Sequence, residues 1–132
     1  MGKRAGVPVH RLLGTAVRDR VGAYVTRLTR DTTPEREVEE IAAALARTGA
    51  RAVKFKVGGR MSGNADARPG RTDRLVPLLR RTLGDGVTLY ADANGSYDPD
   101  VAIGVGRLLE AHGVAILEEP CPWQEYEATK RV

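Results

Sequence analysis

The chain is poor in several residue types that would point to common functions. It has one cysteine, Cys121, which rules out an internal disulfide and suits a reducing compartment, so the expected location is the cytoplasm. Cys121 follows a proline and reads as a loop thiol. Aromatic residues make up only 5% of 132, so a core here must be aliphatic and alanine-rich. No aromatic platform accompanies the arginines, which are interleaved with acids, and the formal charge of +4 therefore does not read as a nucleic-acid surface. No apolar run approaches the ~18 residues of a membrane span, and the start, Met-Gly-Lys-Arg-Ala-Gly, lacks a signal peptide's apolar stretch. Neither phosphate-cradling pattern, G-x-x-x-x-G-K-[ST] or G-x-G-x-x-G, occurs. Lysine is scarce as well, at four of 21 basic residues.

Two of those four lysines stand in one short run, Arg51-Ala-Val-Lys-Phe-Lys-Val-Gly-Gly59. The run is rich in strand formers, and side chains two apart on a strand share a face. Lys54 and Lys56 therefore point one way, and Val53, Phe55 and Val57 the other. Lysine, unlike arginine, can lose its proton when crowded by a second cation or desolvated. A solvated edge strand would also carry lysines. The surrounding pattern has to choose between these readings.

That pattern is repetitive. Residues 3–13 read as the end of a helix, a break at Gly6-Val-Pro8 and a helical turn, with His10 on the surface. A strand is expected over 22–28. Thr33-Pro34 opens a helix whose apolar positions Val38, Ile41, Ala42, Leu45 and Ala46 recur at helical spacing until Gly49. The double-lysine strand follows, then an irregular stretch, Gly58 to Gly70, read as a mobile loop at a site mouth with Arg60 facing substrate. Leu75, Leu78, Leu79 and Leu83 mark a second helix, and Val87–Asp92 a third strand ending in Asp92-Ala-Asn94-Gly-Ser96. Another helix runs from Pro99 to Gly113, with His112 at its C-terminus and no chemistry assigned to it. A fourth strand, Val114–Glu118, ends in Glu118-Glu119-Pro120, and a last helix begins near Gln124. Strand and helix alternate at a pitch of roughly 30 residues, as in consecutive βαβ units on a parallel sheet. The expected fold class is α/β: about four βα units, the first half of a (β/α)8 barrel whose usual length is about 250 residues.

In such barrels chemistry sits at the C-terminal strand ends. Three successive strands place charge there: Lys54 and Lys56, then Asp92, then Glu118. Taken singly, Asp92-Ala-Asn-Gly could be a turn and Glu118-Glu119 a solvated strand end. Taken together, carboxylates converging from adjacent strands offer hard oxygen ligands that suit Mg²⁺ better than Zn²⁺. A lysine pair beside such a metal fits removal of a proton from the carbon next to a carboxylate, through an enediolate.

The ordered set Lys54-Phe-Lys56, Asp92-Ala-Asn94 and Glu118-Glu-Pro120 resembles the enolase superfamily, in its mandelate racemase/muconate lactonizing enzyme branch. The segment Gly6-Val-Pro-Val-His-Arg-Leu-Leu-Gly14 with Arg18-Asp-Arg20 resembles that family's passage from capping domain into barrel. The resemblance implies that residues 1–20 end a capping domain or linker and that 21–132 form the N-terminal half of the barrel. It implies Lys56 as general base and Lys54 as its partner, which lowers the base's pKa and contacts the substrate carboxylate. Asp92 and Glu118 would be Mg²⁺ ligands, with Asn94 and Glu119 holding ligands and lysines in place. A third metal carboxylate and the acid/base on the opposite face belong to later strands, so the 132 residues are expected to be a fragment without turnover alone. The implied reaction is acid-sugar dehydration, racemisation or epimerisation, or cycloisomerisation, on a small carboxylate substrate, with no membrane partner and with homo-oligomeric full-length relatives. Two other readings stay open: a Schiff-base lysine in an aldolase-type barrel, and a non-catalytic half-barrel that dimerises or binds.

Overall fold

A computed structural model describes all 132 residues. A short helix α1 (Gly2–Ala5), closed by left-handed Gly6, and a 3₁₀ turn (Val9–Leu12) lead to strand β1 (Val25–Thr26). Then come α2 (Pro34–Thr48), β2 (Ala52–Lys56), α3 (Arg71–Leu83), β3 (Thr88–Asp92), α4 (Pro99–Ala111), β4 (Val114–Glu118) and α5 (Tyr126–Arg131). The helix starts follow the expected chemistry: Thr33 and Asp98 accept hydrogen bonds from the amides of Arg36 and Val101, each with proline at the next position. No helix is long and apolar enough to cross a membrane.

All four strands pair parallel in the order β1-β2-β3-β4. Because the order never reverses, crossovers of one hand put α2, α3 and α4 on one face of the sheet. Val53, Phe55 and Val57 of the β2 run, with Leu89, Ala91 and Ala93 of the β3 run, are buried there against Ile41, Leu75, Leu79 and Leu109. The opposite face carries Lys54, Tyr90 and Ile116 in register, then Lys56, Asp92 and Glu118 in register. No helix covers that face, and Ile116 is 52% exposed.

The strand pairing has one irregularity that matters for the site. Leu89 pairs with Val114 but Tyr90 with Ile116, so Ala115 is an extra residue in β4. Without it Leu117 would stand opposite Asp92. The bulge turns Glu118 onto the face that carries Asp92.

Two expectations need correction. The strand expected over 22–28 is reduced to Val25–Thr26, paired with Val53 and Lys54, and the ladder ends where Arg27 N donates to Lys54 O (2.8 Å). The stretch 58–70, expected to be mobile, is tied down throughout. Gly59 N donates to Ala65 O (2.8 Å), Met61 N to Asn94 O (3.1 Å) and Asn64 N to Ser96 O (2.8 Å). Asp66 accepts from the amide and hydroxyl of Thr72.

Candidate active site

The C-terminal ends of β2, β3 and β4 bring four of the expected residues together. Lys56, only 7% exposed, donates from Nζ to Asp92 Oδ2 (2.5 Å) and to Asn94 Oδ1 (3.0 Å). Lys54 Nζ donates to Glu118 Oε2 (2.7 Å) and lies 3.5 Å from the same Asp92 Oδ2. It also sits 6.0 Å above the Tyr24 ring, which packs edge-on against Tyr90. Asp92 Oδ1 accepts from Asn94 N (3.0 Å), a short local turn that starts the loop and fixes the carboxylate plane. Asn94 in turn donates from Nδ2 to Glu119 Oε2 (2.9 Å).

Each lysine faces a carboxylate. The hydrogen bond to Glu118 outweighs desolvation and holds the Lys54 ammonium above the ordinary lysine range. For Asp92, burial pushes the carboxyl up, but the hydrogen bond and charge of Lys56, the Asn94 amide and Lys54 together hold it below the usual range. In this arrangement Lys54 is charged.

Arg30 is a member that sequence reasoning missed. It lies beyond the end of β1, donates from Nε to Gly59 O (2.9 Å) and from Nη2 to Asn94 Oδ1 (2.5 Å). Burial, opposed by the charge of Asp92, lowers its pKa. The rule that charge at a strand's C-terminal end marks the site would have found it, had the strand been traced past Leu28 to the same rim.

Arg60 does not join the Lys56–Asp92 cluster. It lines an adjoining pocket of about 220 Å³ with Met61, Asn94, Glu119 and Trp123. Cys121 is in a loop as expected, yet buried, and burial pushes its thiol up, which makes it unreactive. His10 is exposed, and His112 Nδ1 lies 2.9 Å from Leu108 O at its helix end.

Asp92 and Glu118 suit a divalent cation in one respect visible here: a single ammonium, that of Lys54, reaches an oxygen of each, so one cation can be shared between them. The donors are hard oxygens, as Mg²⁺ prefers. No group of three or more acid, histidine or cysteine side chains that could hold a metal occurs in the chain.

Residues 36–132 match the family described as enolase C-terminal domain-like. Over 120 residues the chain is 32% identical to muconate cycloisomerase 1 of Pseudomonas putida, covering 90% of this chain and 29% of that protein. It is 34% identical over 120 residues to L-talarate/galactarate dehydratase of Salmonella typhimurium, covering 89% of this chain and 28% of that one. A mandelate racemase/muconate lactonizing protein from Paracoccus denitrificans PD1222, solved in complex with magnesium, superposes with a TM-score of 0.84 at 30% identity, covering 99% of this chain and 36% of its own. The chain thus spans less than a third of the two curated relatives' length. With the match running over most of its length, the chain belongs to the enolase C-terminal domain-like family.

Proposed function

We propose that this chain contributes the base-bearing half of an enzyme that removes the proton α to a substrate carboxylate with the help of Mg²⁺. In this reading residues 21–132 are the first four βα units of a (β/α)8 barrel, preceded by the end of a capping segment over 1–20. The observation that carries it is the register of the strands: Lys56, Asp92 and Glu118 are paired neighbours on one sheet face, at the C-terminal rim. Relatives named for dehydration, epimerisation and cycloisomerisation support the reaction class, and the magnesium complex of a relative supports the metal.

Asp92 and Glu118 would hold the Mg²⁺, which when bound supplies positive charge against the oxygen charge that grows as the α-carbon loses its proton. Lys54, charged and at the mouth, donates to the substrate carboxylate and orients it. Lys56 accepts the α-proton at Nζ, once its ammonium has given up a proton to solvent. Asn94 Oδ1 keeps that nitrogen in place, and Glu119 and Arg30 hold the Asn94 amide from its two sides. The substrate is a small carboxylate of the hydroxylated, acid-sugar type. A Schiff-base role for Lys54 is disfavoured by the Glu118 bond that keeps it protonated.

The test is uptake of solvent deuterium at the α-carbon of sugar acids, followed by proton NMR. The chain is joined to the complementary length of the Salmonella typhimurium dehydratase, and the 132 residues alone serve as the control expected to be silent. With Mg²⁺ the joined protein should exchange, and Lys56→Ala should slow exchange by roughly 10²- to 10⁴-fold, the usual contribution of a positioned base. Exchange that survives both Lys56→Ala and Lys54→Ala, or a cooperatively folded joined protein with no exchange at all, would overturn the reading.

A further inference from the structure

Beside the lysine–carboxylate cluster lies a second recess that the proposed chemistry does not use. It is the pocket of about 220 Å³ between the loops that follow β2, β3 and β4. Ligand pockets for whole small molecules run from about 300 Å³ upward, so this one is sized for one end of a ligand. Asn94 forms the shared wall: its Oδ1 serves Lys56 on one side, and its Nδ2 serves Glu119 on the other.

Two independent features single it out. The first is backbone strain. Four non-glycine residues in the chain have positive φ, and three of them, Met61 (49°), Asn94 (45°) and Glu119 (45°), line this one pocket. Such conformations cost free energy and persist where surrounding bonds over-determine them. Here Met61 N donates to Asn94 O (3.1 Å) and Gly95 N to Glu119 O (2.8 Å), lacing the three loops together. The second feature is the chemistry of the lining. The Arg60 guanidinium is exposed and makes no hydrogen bond or ion pair within the chain; its charge acts on Arg30, whose pKa it helps to lower. Glu119 spends one oxygen on Asn94 and keeps the other free. Trp123, the only tryptophan, is 67% exposed at the rim, beside an equally open Met61.

A guanidinium fork that donates, a carboxylate oxygen that accepts and an open indole face form the complement of a chain of vicinal hydroxyls with a C–H face. We infer that this pocket is a subsite for the hydroxylated tail of the substrate, with Arg60 and Glu119 as its polar contacts and Trp123 as its stacking surface. It rests on the proposed function only in that the tail is attached to a carboxylate held near Lys54. It assigns specificity for polyhydroxy acids to this half of the protein.

Because Trp123 is unique, its fluorescence reports on the pocket directly. The purified chain is titrated with gluconate, with butyrate as the acid lacking hydroxyls, in the presence of Mg²⁺. Gluconate should give a saturable change that butyrate does not. Arg60→Gln should weaken the response at least tenfold, and Arg60→Lys should recover part of it. Circular dichroism confirms that each variant is folded; Arg60 is exposed on a loop, and Glu119→Gln supplies a second probe if its variant fails. Equal responses to gluconate and butyrate, no response, or an unchanged response in both Arg60→Gln and Glu119→Gln would overturn the subsite. Deuterium exchange by the joined protein with a silent Trp123 sinks the subsite alone. An Arg60-dependent Trp123 response without exchange upholds the subsite and counts against the proton-abstraction reading.

Discussion

Glu37 shows what a single side chain contributes away from the chemistry. It sits in the first turn of α2, where a carboxylate suits the helix dipole, but it is wholly buried. Arg27 Nε donates to Oε1 (3.0 Å), and Thr29 and Thr32 donate to Oε2 (3.0 and 2.6 Å). Arg71, 3.7 Å away, spends another nitrogen on the carbonyl of Lys56 at the end of β2 (2.9 Å). The acid is thus the centre of a charge cluster that fixes the rim under the lysine pair. Glu37→Ala takes the paired carboxylate from the buried Arg71 guanidinium and leaves Arg27 with Glu40 alone, and should cost about 3 kcal/mol, the low end for breaking a buried pair. Urea unfolding of the variant checks this, and a loss under about 1 kcal/mol would mean the cluster is solvated after all. The sequence offered Glu37 only as a first-turn acid. Its burial depends on Arg27 and Arg71 arriving from other elements, and no local pattern encodes that. Lys54, Lys56, Asp92 and Glu118 were readable because each stands at the end of an apolar strand, and the strand ends coincide. Arg30 was not, because its strand is too short to show a period.

At the scale of elements, the turn after β2 is set by one glycine. Gly58 has φ 62°, and a Cβ there would come 2.7 Å from the Ser96 side chain and 2.8 Å from Tyr97 Oη. The close approach lets the loop after β2 lie on the loop after β3, where Ser96 Oγ bonds Gly59 O. Gly49, which closes α2, has φ 68° but open space around it. The two positions separate conformational from steric cost. Gly49→Ala should lose about 1 kcal/mol for the left-handed backbone. Gly58→Ala should lose about 1–3 kcal/mol more for overpacking, read as a difference in denaturant midpoints. Equal losses would show that the loop moves aside at no cost. The elements themselves were well marked in the sequence: Thr33-Pro34 and Asp98-Pro99 start helices, and Gly49 and Gly84 end them. The bulge at Ala115 carried no such mark. Alternation along Val114-Ala-Ile-Leu-Glu118 is the same with or without an inserted residue at its start, so only the pairing with β3 reveals which face Glu118 takes.

For the molecule as a whole, the apolar layer lies on one sheet face and the charges on the other and at the rim, so pH should act on stability through the second set and through the two titratable members of the core, Tyr97 and Cys121. Glu37 and Asp92 are held below their ordinary range. The unfolded chain binds their protons near pH 4, before the folded one does. Their contribution is therefore complete above about pH 5 and lost as pH falls through the depressed folded values. The alkaline side has the opposite sign. Lys54 is raised by Glu118, so its contribution is full below the unfolded lysine value of about 10.4 and lost as pH rises through the folded one. Tyr97 adds to that limb. Its phenol is the one buried side-chain polar atom without a partner, since Thr72 Oγ1 is taken up by Asp66 and Gly58, and burial pushes it up to about 12. The unfolded tyrosine loses its proton near pH 10 while the folded one keeps it, so each step of pH above 10 favours unfolding. Buried Cys121 acts in the same sense from the unfolded thiol value of about 8.5, since the folded thiol keeps its proton, so denaturant midpoints should be flat from about pH 5 to 8 and fall on both sides. Tyr97→Phe should shallow the alkaline fall without lowering stability at neutral pH, because it removes an unpaired buried hydroxyl. Tyrosinate absorbance that develops at pH 10 in the still-folded chain, for all four tyrosines at once, would show that Tyr97 is open to water and that this account of the alkaline limb is wrong.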